Sequence, residues 1–192
     1  MTLPPGEVDS RAAYLTFGVA YLVGHGAAAL SKGPDPVFGL PAWVPLTLLA
    51  AGLIPALSLA VRAGMRSQQG ASESRRRAEK LLGFAWCTGF TALAIAITGV
   101  SLGDPDLQDV LWPAGSVLLV GLINIAEGVA RDITLHYQLG SFLALVGAAS
   151  LFFDVAGVYA TIALAGGLGY LVAAVLERRR LGASRPSLAV AA

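Results

Sequence analysis

Six long stretches without a charged residue are the feature of this sequence that most limits its fold. They contain 20, 26, 23, 17, 21 and 22 residues and run over 12–31, 36–61, 81–103, 110–126, 133–153 and 155–176. A helix needs about 20 apolar residues, within a range of about 17–25, to cross the hydrocarbon core of a bilayer. Each stretch is therefore long enough for one crossing.

Helices rather than strands are expected in these stretches. Only helices and closed barrels bond every backbone group inside lipid, and the blocks of Leu, Ala, Val and Gly lack the alternation of a barrel strand. We predict an all-α integral membrane protein, one domain over 1–180, with six transmembrane helices arranged as three hairpins. The predicted spans are 12–31, 42–62, 81–102, 111–130, 134–153 and 156–176, followed by a disordered tail over 181–192. Pro55 predicts a bend of more than about 20° in the second span.

Composition excludes an ordinary soluble domain. Only 13% of the residues are charged and the mean hydropathy is +0.70, whereas soluble domains carry about 25% charged residues. The net charge of +1 gives no basic surface for nucleic acid. Cys87 is the single cysteine, which excludes an intrachain disulfide, and its apolar surroundings predict a buried, inert thiol.

The positions of Lys and Arg predict that both ends of the chain are cytoplasmic. With the N-terminus inside, twelve basic residues fall on the inner side and only Lys32 falls outside. The inner group consists of Arg11, Arg62, Arg66, Arg75, Arg76, Arg77, Lys80, Arg131, Arg178, Arg179, Arg180 and Arg185. Abundant Ala, Gly and Arg are typical of a high-GC bacterium, so we place the chain in a bacterial cytoplasmic membrane.

The hydrophilic segment 63–80 allows two interpretations. Its run Arg75, Arg76, Arg77 could contact anionic lipid headgroups, each basic residue near the surface contributing roughly 1 kcal/mol. The same run also serves as a topology signal and needs no further role, which is the interpretation that the positive-inside rule favours.

Stripes of small residues predict close helix contacts. They consist of Ala20, Gly24 and Ala28 in the first span, Gly140, Ala144 and Ala148 in the fifth, and Ala165, Gly169 and Ala173 in the sixth. No motif identifies a family. Three hairpins in about 190 residues resemble several small bacterial membrane families, HdeD-like acid-stress proteins among them, in architecture alone.

Polar residues inside the spans are functional candidates, because each is costly in hydrocarbon. The candidates are His25, Asn124, Glu127, Arg131 and Asp154, with Asp154 expected to cap the fifth helix at the outer face. Glu127 is either a protonatable carboxylate on a solute path or an i,i+4 partner of Arg131, with Asn124 bonded to a neighbouring helix. The second interpretation is favoured. His25 either donates to a carbonyl at a close helix contact or senses pH or solute.

Catalytic and cofactor chemistry finds no support in the sequence. His25 belongs to the outer half of its span and His136 to the inner boundary, so one haem cannot bind both. No cluster has zinc-ligand spacing, and no Ser or Cys lies beside a base and an orienting group. We therefore expect a non-enzymatic accessory, assembly or stress-related component without a cofactor, acting through membrane partners. The alternative is a small oligomeric transporter or channel that uses Asn124 and Glu127 or His25.

Overall fold

Six helices follow one another in residues 7–183, the part of the chain that the computed structural model describes. They are α1 (Arg11–Ser31), α2 (Trp43–Ser67), α3 (Glu73–Val100), α4 (Gln108–Arg131), α5 (Thr134–Ser150) and α6 (Val155–Ala183), with a 3-10 turn at Pro105–Leu107 before α4. No strand occurs in these residues. The all-helical prediction is confirmed.

Five of the six helices are long and apolar enough to cross a membrane, as expected of a multi-pass membrane protein. The exception is α5, which has 17 residues. At 1.5 Å per residue it is about 25 Å long, slightly shorter than a hydrocarbon core of about 30 Å.

Three helices, α2, α3 and α6, extend well beyond their predicted ends. The expected hydrophilic segment 63–80 is mostly helical, since α2 continues to Ser67 and α3 begins at Glu73. The Ser72 hydroxyl accepts a hydrogen bond from the Arg75 N–H and so caps α3. Helix α6 continues to Ala183, so the predicted tail was wrong over 181–183, and its remainder lies outside the described residues.

Helices α1, α4, α5 and α6 enclose the buried core, while α2 packs against α1 and α3 against α4 at the periphery. Helices α2 and α3 make no extended contact with each other, although only residues 68–72 join them. Because α3 is peripheral, Cys87 is exposed, and the prediction of a buried thiol was wrong. Helix α2 continues through Pro55, and the bend there stays a prediction.

Glycine allows α4 and α5 to touch along their backbones. A Cβ atom on Gly121 would lie 2.3 Å from the Ala144 nitrogen, and one on Gly128 would lie 2.4 Å from the Tyr137 nitrogen. Gly140, from the predicted stripe of the fifth span, makes an equally close approach from α5. Backbones this close exclude any side chain between the helices.

Helices α1 and α6 each contain one π-helical turn, at Tyr21–His25 and Ile162–Gly166 respectively. The two turns are in contact with each other inside the bundle. Such turns are rare and often mark functional sites, because the extra residue widens the helix and disturbs its hydrogen bonds.

Candidate functional site: a buried ionic cluster

Arg131, the last residue of α4, binds two carboxylates at one end of the bundle. Its Nη1 donates to Glu127 Oε2 at 2.7 Å, and its Nε and Nη2 donate to the two oxygens of Glu79 at 2.8 and 2.7 Å. Only 10% of the Arg131 side chain and 5% of the Glu79 side chain are exposed. A paired, charge-assisted hydrogen-bond geometry of this kind is strong and directional.

Both carboxylates have further partners. Trp86 Nε1 donates to Glu127 Oε1 at 2.9 Å, and Arg75 Nε donates to Glu79 Oε1 at 3.3 Å. Each of the four carboxylate oxygens of Glu79 and Glu127 thus accepts at least one hydrogen bond. These contacts join the start of α3 to the end of α4.

A second part of the cluster joins the N-terminal segment to α5 and α6. The Ser10 hydroxyl lies 3.3 Å from His136 Nε2, and the Ser10 N–H donates to Glu177 Oε1 at 3.2 Å. Arg180 donates to both oxygens of Glu177, at 2.7 and 2.9 Å, and also to Glu7 and to a backbone carbonyl. Glu177 is completely buried.

His136 lies where the two parts of the cluster meet. Its Nδ1 is 3.8 Å from Glu127 Oε2 and has no hydrogen-bond partner among residues 7–183. We call the whole set the ionic cluster: Glu7, Ser10, Arg75, Glu79, Trp86, Glu127, Arg131, His136, Glu177 and Arg180. The end of the bundle that contains it is called the arginine-rich end.

Local sequence explains how these side chains meet. Glu127 and Arg131 are one helical turn apart, so they share a face of α4. Asp132 then takes a left-handed conformation with φ of 54°, which ends α4, and the Ile133 N–H donates to the Gly128 carbonyl. This tight reversal starts α5 at once and places His136 beside Glu127.

At the start of α1, Asp9 and Arg11 form a local ion pair of 2.7 Å. The hydrogen bond from Arg11 lowers the pKa of the Asp9 carboxyl below its usual value, against a smaller opposing effect of burial. This pair lies beside the cluster but shares no hydrogen bond with it among the described contacts.

Glu127 and Asn124, which the sequence placed in one candidate site, have separate hydrogen-bond partners in the structure. The predicted pair of Glu127 with Arg131 is confirmed. Asn124 does not bond a neighbouring helix, because its Nδ2 donates to the Val120 carbonyl of its own helix at 2.8 Å. That interpretation was wrong: the amide satisfies itself locally, as polar side chains in helices often do.

Asp154 also differs from the expectation. It caps the start of α6 by accepting the Gly157 N–H at 2.8 Å, and does not cap the fifth helix. A carboxylate that accepts from a first-turn N–H is an ordinary helix cap, so Asp154 has a structural role that needs no ligand.

His25 is buried, as predicted, but its hydrogen bond is to the Tyr21 backbone of its own helix and not to a neighbouring helix. Only 5% of the residue is exposed, and its ring contacts those of Tyr21 and Tyr159, with centroids 4.9 and 6.0 Å away. Close helix contact beside Gly24 is present, since a Cβ there would lie 2.6 Å from the Leu49 Cα.

Sequence reasoning missed the second carboxylate of Arg131 and the whole contribution of α6. Glu79 was assigned to a loop and Glu177 to a span boundary. The i,i+4 spacing of Arg75 with Glu79 and the i,i+3 spacing of Glu177 with Arg180 were the available signals. Arg75 also turns inward, where its Nη1 approaches the Arg131 carbonyl, so fewer arginines of this run point towards lipid headgroups.

The chemistry that the cluster supports is ion pairing. Within residues 7–183 no group of three His, Cys, Asp or Glu side chains is arranged to hold a metal ion. Two open surface pockets, one beside Asp9 and one beside Glu73, include neither Asn124 nor Glu127. Comparison with family models, with curated proteins and with solved structures finds no match to this chain.

Proposed function

We propose that this chain is a non-enzymatic component of a bacterial cytoplasmic membrane, with accessory, assembly or stress-related duties carried out through a membrane-protein partner. The observation that carries the proposal is the complete pairing of Glu79, Glu127 and Arg131. Groups that bind one another this fully hold helices together, and they offer no free oxygen or cation to a substrate.

Six crossings with both termini in the cytoplasm form part of the proposal. The contacts of Arg180 with Glu7 and of Glu177 with Ser10 hold the start of α1 against the end of α6. These two points share a membrane face only when the number of crossings is even. This favours a sixth crossing by the 17-residue α5, and the positive-inside rule places the arginine-rich end in the cytoplasm.

The faces of α2 and α3 are the surfaces that we assign to the partner, a protein with transmembrane helices. Both helices pack against the bundle on one side only, and large apolar side chains such as Ile54 and Ile95 are 66% and 69% exposed. A second observation supports this choice, since α2 and α3 make no extended contact with each other although only residues 68–72 join them.

Site-specific photocrosslinking tests the partner. We expect a photoreactive residue at Ile54 or Ile95 to crosslink to one foreign subunit, and the same residue at Leu145 of α5, which is 70% exposed, to crosslink to lipid alone. Native mass measurement of the complex in mild detergent should then give a fixed stoichiometry. Equal crosslinking at all three sites, or a stable homo-oligomer without a foreign subunit, contradicts the proposal.

The alternative is an oligomeric transporter or channel that uses Asn124 and Glu127 or His25. Asn124 bonds its own backbone and Glu127 bonds Arg131 and Trp86, and these hydrogen bonds favour a structural role for the pair over a solute path. His25 is in a different position, because it contacts the titratable rings of the buried Tyr21 and the half-buried Tyr159.

A further inference from the structure

The interior of the bundle contains a column of titratable rings that runs between its two ends. From the arginine-rich end, its six members are His136, Tyr14, Tyr170, Tyr21, His25 and Tyr159. Successive ring centroids are 5.8, 6.0, 5.3, 4.9 and 6.0 Å apart. The column includes both histidines of the chain and four of its five tyrosines.

Each end of the column meets charged groups. At the arginine-rich end, His136 Nδ1 lies 3.8 Å from Glu127, with Arg131 beyond it. At the opposite end, the Lys32 ammonium lies 5.7 Å from the centre of the Tyr159 ring and forms an ion pair with Asp109. The column therefore connects an exchangeable group near one face to an exchangeable group near the other.

Aromatic packing alone does not explain these residues. Tyr14, Tyr21 and Tyr170 are buried, whereas none of the seven phenylalanines, all of which lie in the described part of the chain, is buried. A core that needed only apolar rings would use Phe inside, because a phenol hydroxyl is costly to remove from water. Here the hydroxyl-bearing rings are selectively inside.

One polar atom of the column is buried without a hydrogen-bond partner among residues 7–183. It is His136 Nδ1, whereas Tyr14 has a side-chain hydrogen bond with Ser10 and His25 has one with the Tyr21 backbone. A buried polar atom without a partner is rare in folded proteins, so this one calls for an explanation outside static packing. A group that must accept or release a proton in turn needs such a free position.

The π-helical turns lie at the middle of the column. Tyr21 and His25 are the first and last residues of the turn in α1, and it packs against the turn at Ile162–Gly166 in α6. The extra residue in each turn loosens the helix where ring rotation is required.

We propose that this column conducts protons between the two membrane faces. A proton arrives at one phenol oxygen while that phenol releases its own proton to the next group, and an imidazole accepts at one nitrogen and releases from the other. Ring rotation or a single water closes each remaining gap. One proton enters for each that leaves, no bond between heavy atoms changes, and no oxidant or reductant is needed. Chains of Asp, Glu and His inside membrane proteins serve as proton relays, and this column has a histidine at one end and another beside its opposite end.

Proton flux into liposomes tests the column. Purified full-length protein is reconstituted with a trapped pH-sensitive dye, and a potassium gradient with valinomycin supplies the driving potential. We expect wild-type vesicles to acidify faster than protein-free ones, and Tyr21→Phe and Tyr170→Phe to reduce the rate to that of protein-free vesicles. Each substitution removes one oxygen and preserves the ring, so packing is retained.

Tyr137→Phe is the matched control. Tyr137 is the one tyrosine outside the column and is 48% exposed, so this variant should conduct like the wild type. Wild-type flux equal to that of protein-free vesicles overturns the inference. Wild-type rates in both column variants, or loss in all three variants, overturn it as well. The assay contains no partner protein, so its failure leaves the proposed partner function standing and is distinguishable from it.

Discussion

Arg131 neutralises two carboxylates on two helices, Glu79 on α3 and Glu127 on α4. Arg76, by contrast, bonds one backbone carbonyl at the surface. Burial of ions is costly, and the ions are tolerated only while each has its partner. Loss of the shared cation should therefore be more damaging than loss of one anion.

We expect Arg131→Ala to lower the free energy of unfolding by about 3 kcal/mol, because it removes the cation from Glu127 and leaves Glu79 only its longer contact with Arg75. Glu127→Gln should cost only about 1 kcal/mol, since the amide oxygen still accepts from Trp86 and Arg131 retains Glu79. Unfolding in mixed detergent, followed by circular dichroism, measures both. Arg76→Ala is the control and should leave stability unchanged; a larger loss for Glu127→Gln than for Arg131→Ala contradicts the description of the cluster.

At the scale of the element, the α4–α5 hairpin is the most tightly specified part of the fold. Three constraints coincide there: the left-handed conformation of Asp132 and the close backbone contacts at Gly128 and Gly121. A short loop and close backbones leave one register for the two helices. The position of His136 beside Glu127 depends on that register.

Gly121→Ala should destabilise the protein by about 2 kcal/mol, because the new methyl group cannot fit 2.3 Å from the Ala144 nitrogen and the helices must separate. Gly83→Ala is the matched control. Nothing lies within 4 Å of its Cβ position on α3, and alanine is the better helix former, so stability should be unchanged or higher. Thermal unfolding of the two variants in one detergent decides; equal stability of the two would show that α4 and α5 are not in backbone contact.

For the whole molecule, the contact between the first and last parts of residues 7–183 has the widest consequence. Glu7 and Arg180 are separated by 173 positions and lie together beside the completely buried Glu177. The first and last helices therefore close the bundle, and the N-terminal segment belongs to the ionic cluster.

Reporter fusions test the resulting topology. Fusions at residues 70 and 185 should be active with a reporter that works only in the cytoplasm, and a fusion at residue 106 only with a periplasmic reporter. The fusion at residue 70 is decisive because the run Arg75, Arg76, Arg77, which contributes to the positive-inside prediction, lies just after it. A periplasmic result at 70, or opposite results for 70 and 185, would exclude six crossings with both ends inside.

The sequence alone predicted the helices and their apolar surroundings, because a charge cannot be left in hydrocarbon and the gaps between charges are a local property. Pairs within one helical turn, such as Glu127 with Arg131, were predictable for the same reason. Which face of each helix points inward was not predictable: lipid and protein interior are equally apolar, so Cys87 was assigned to the inside although it faces outward. The link from Arg131 to Glu79, 52 positions away, and the column from His136 to Tyr159 exist only because the tertiary structure brings separate helices together.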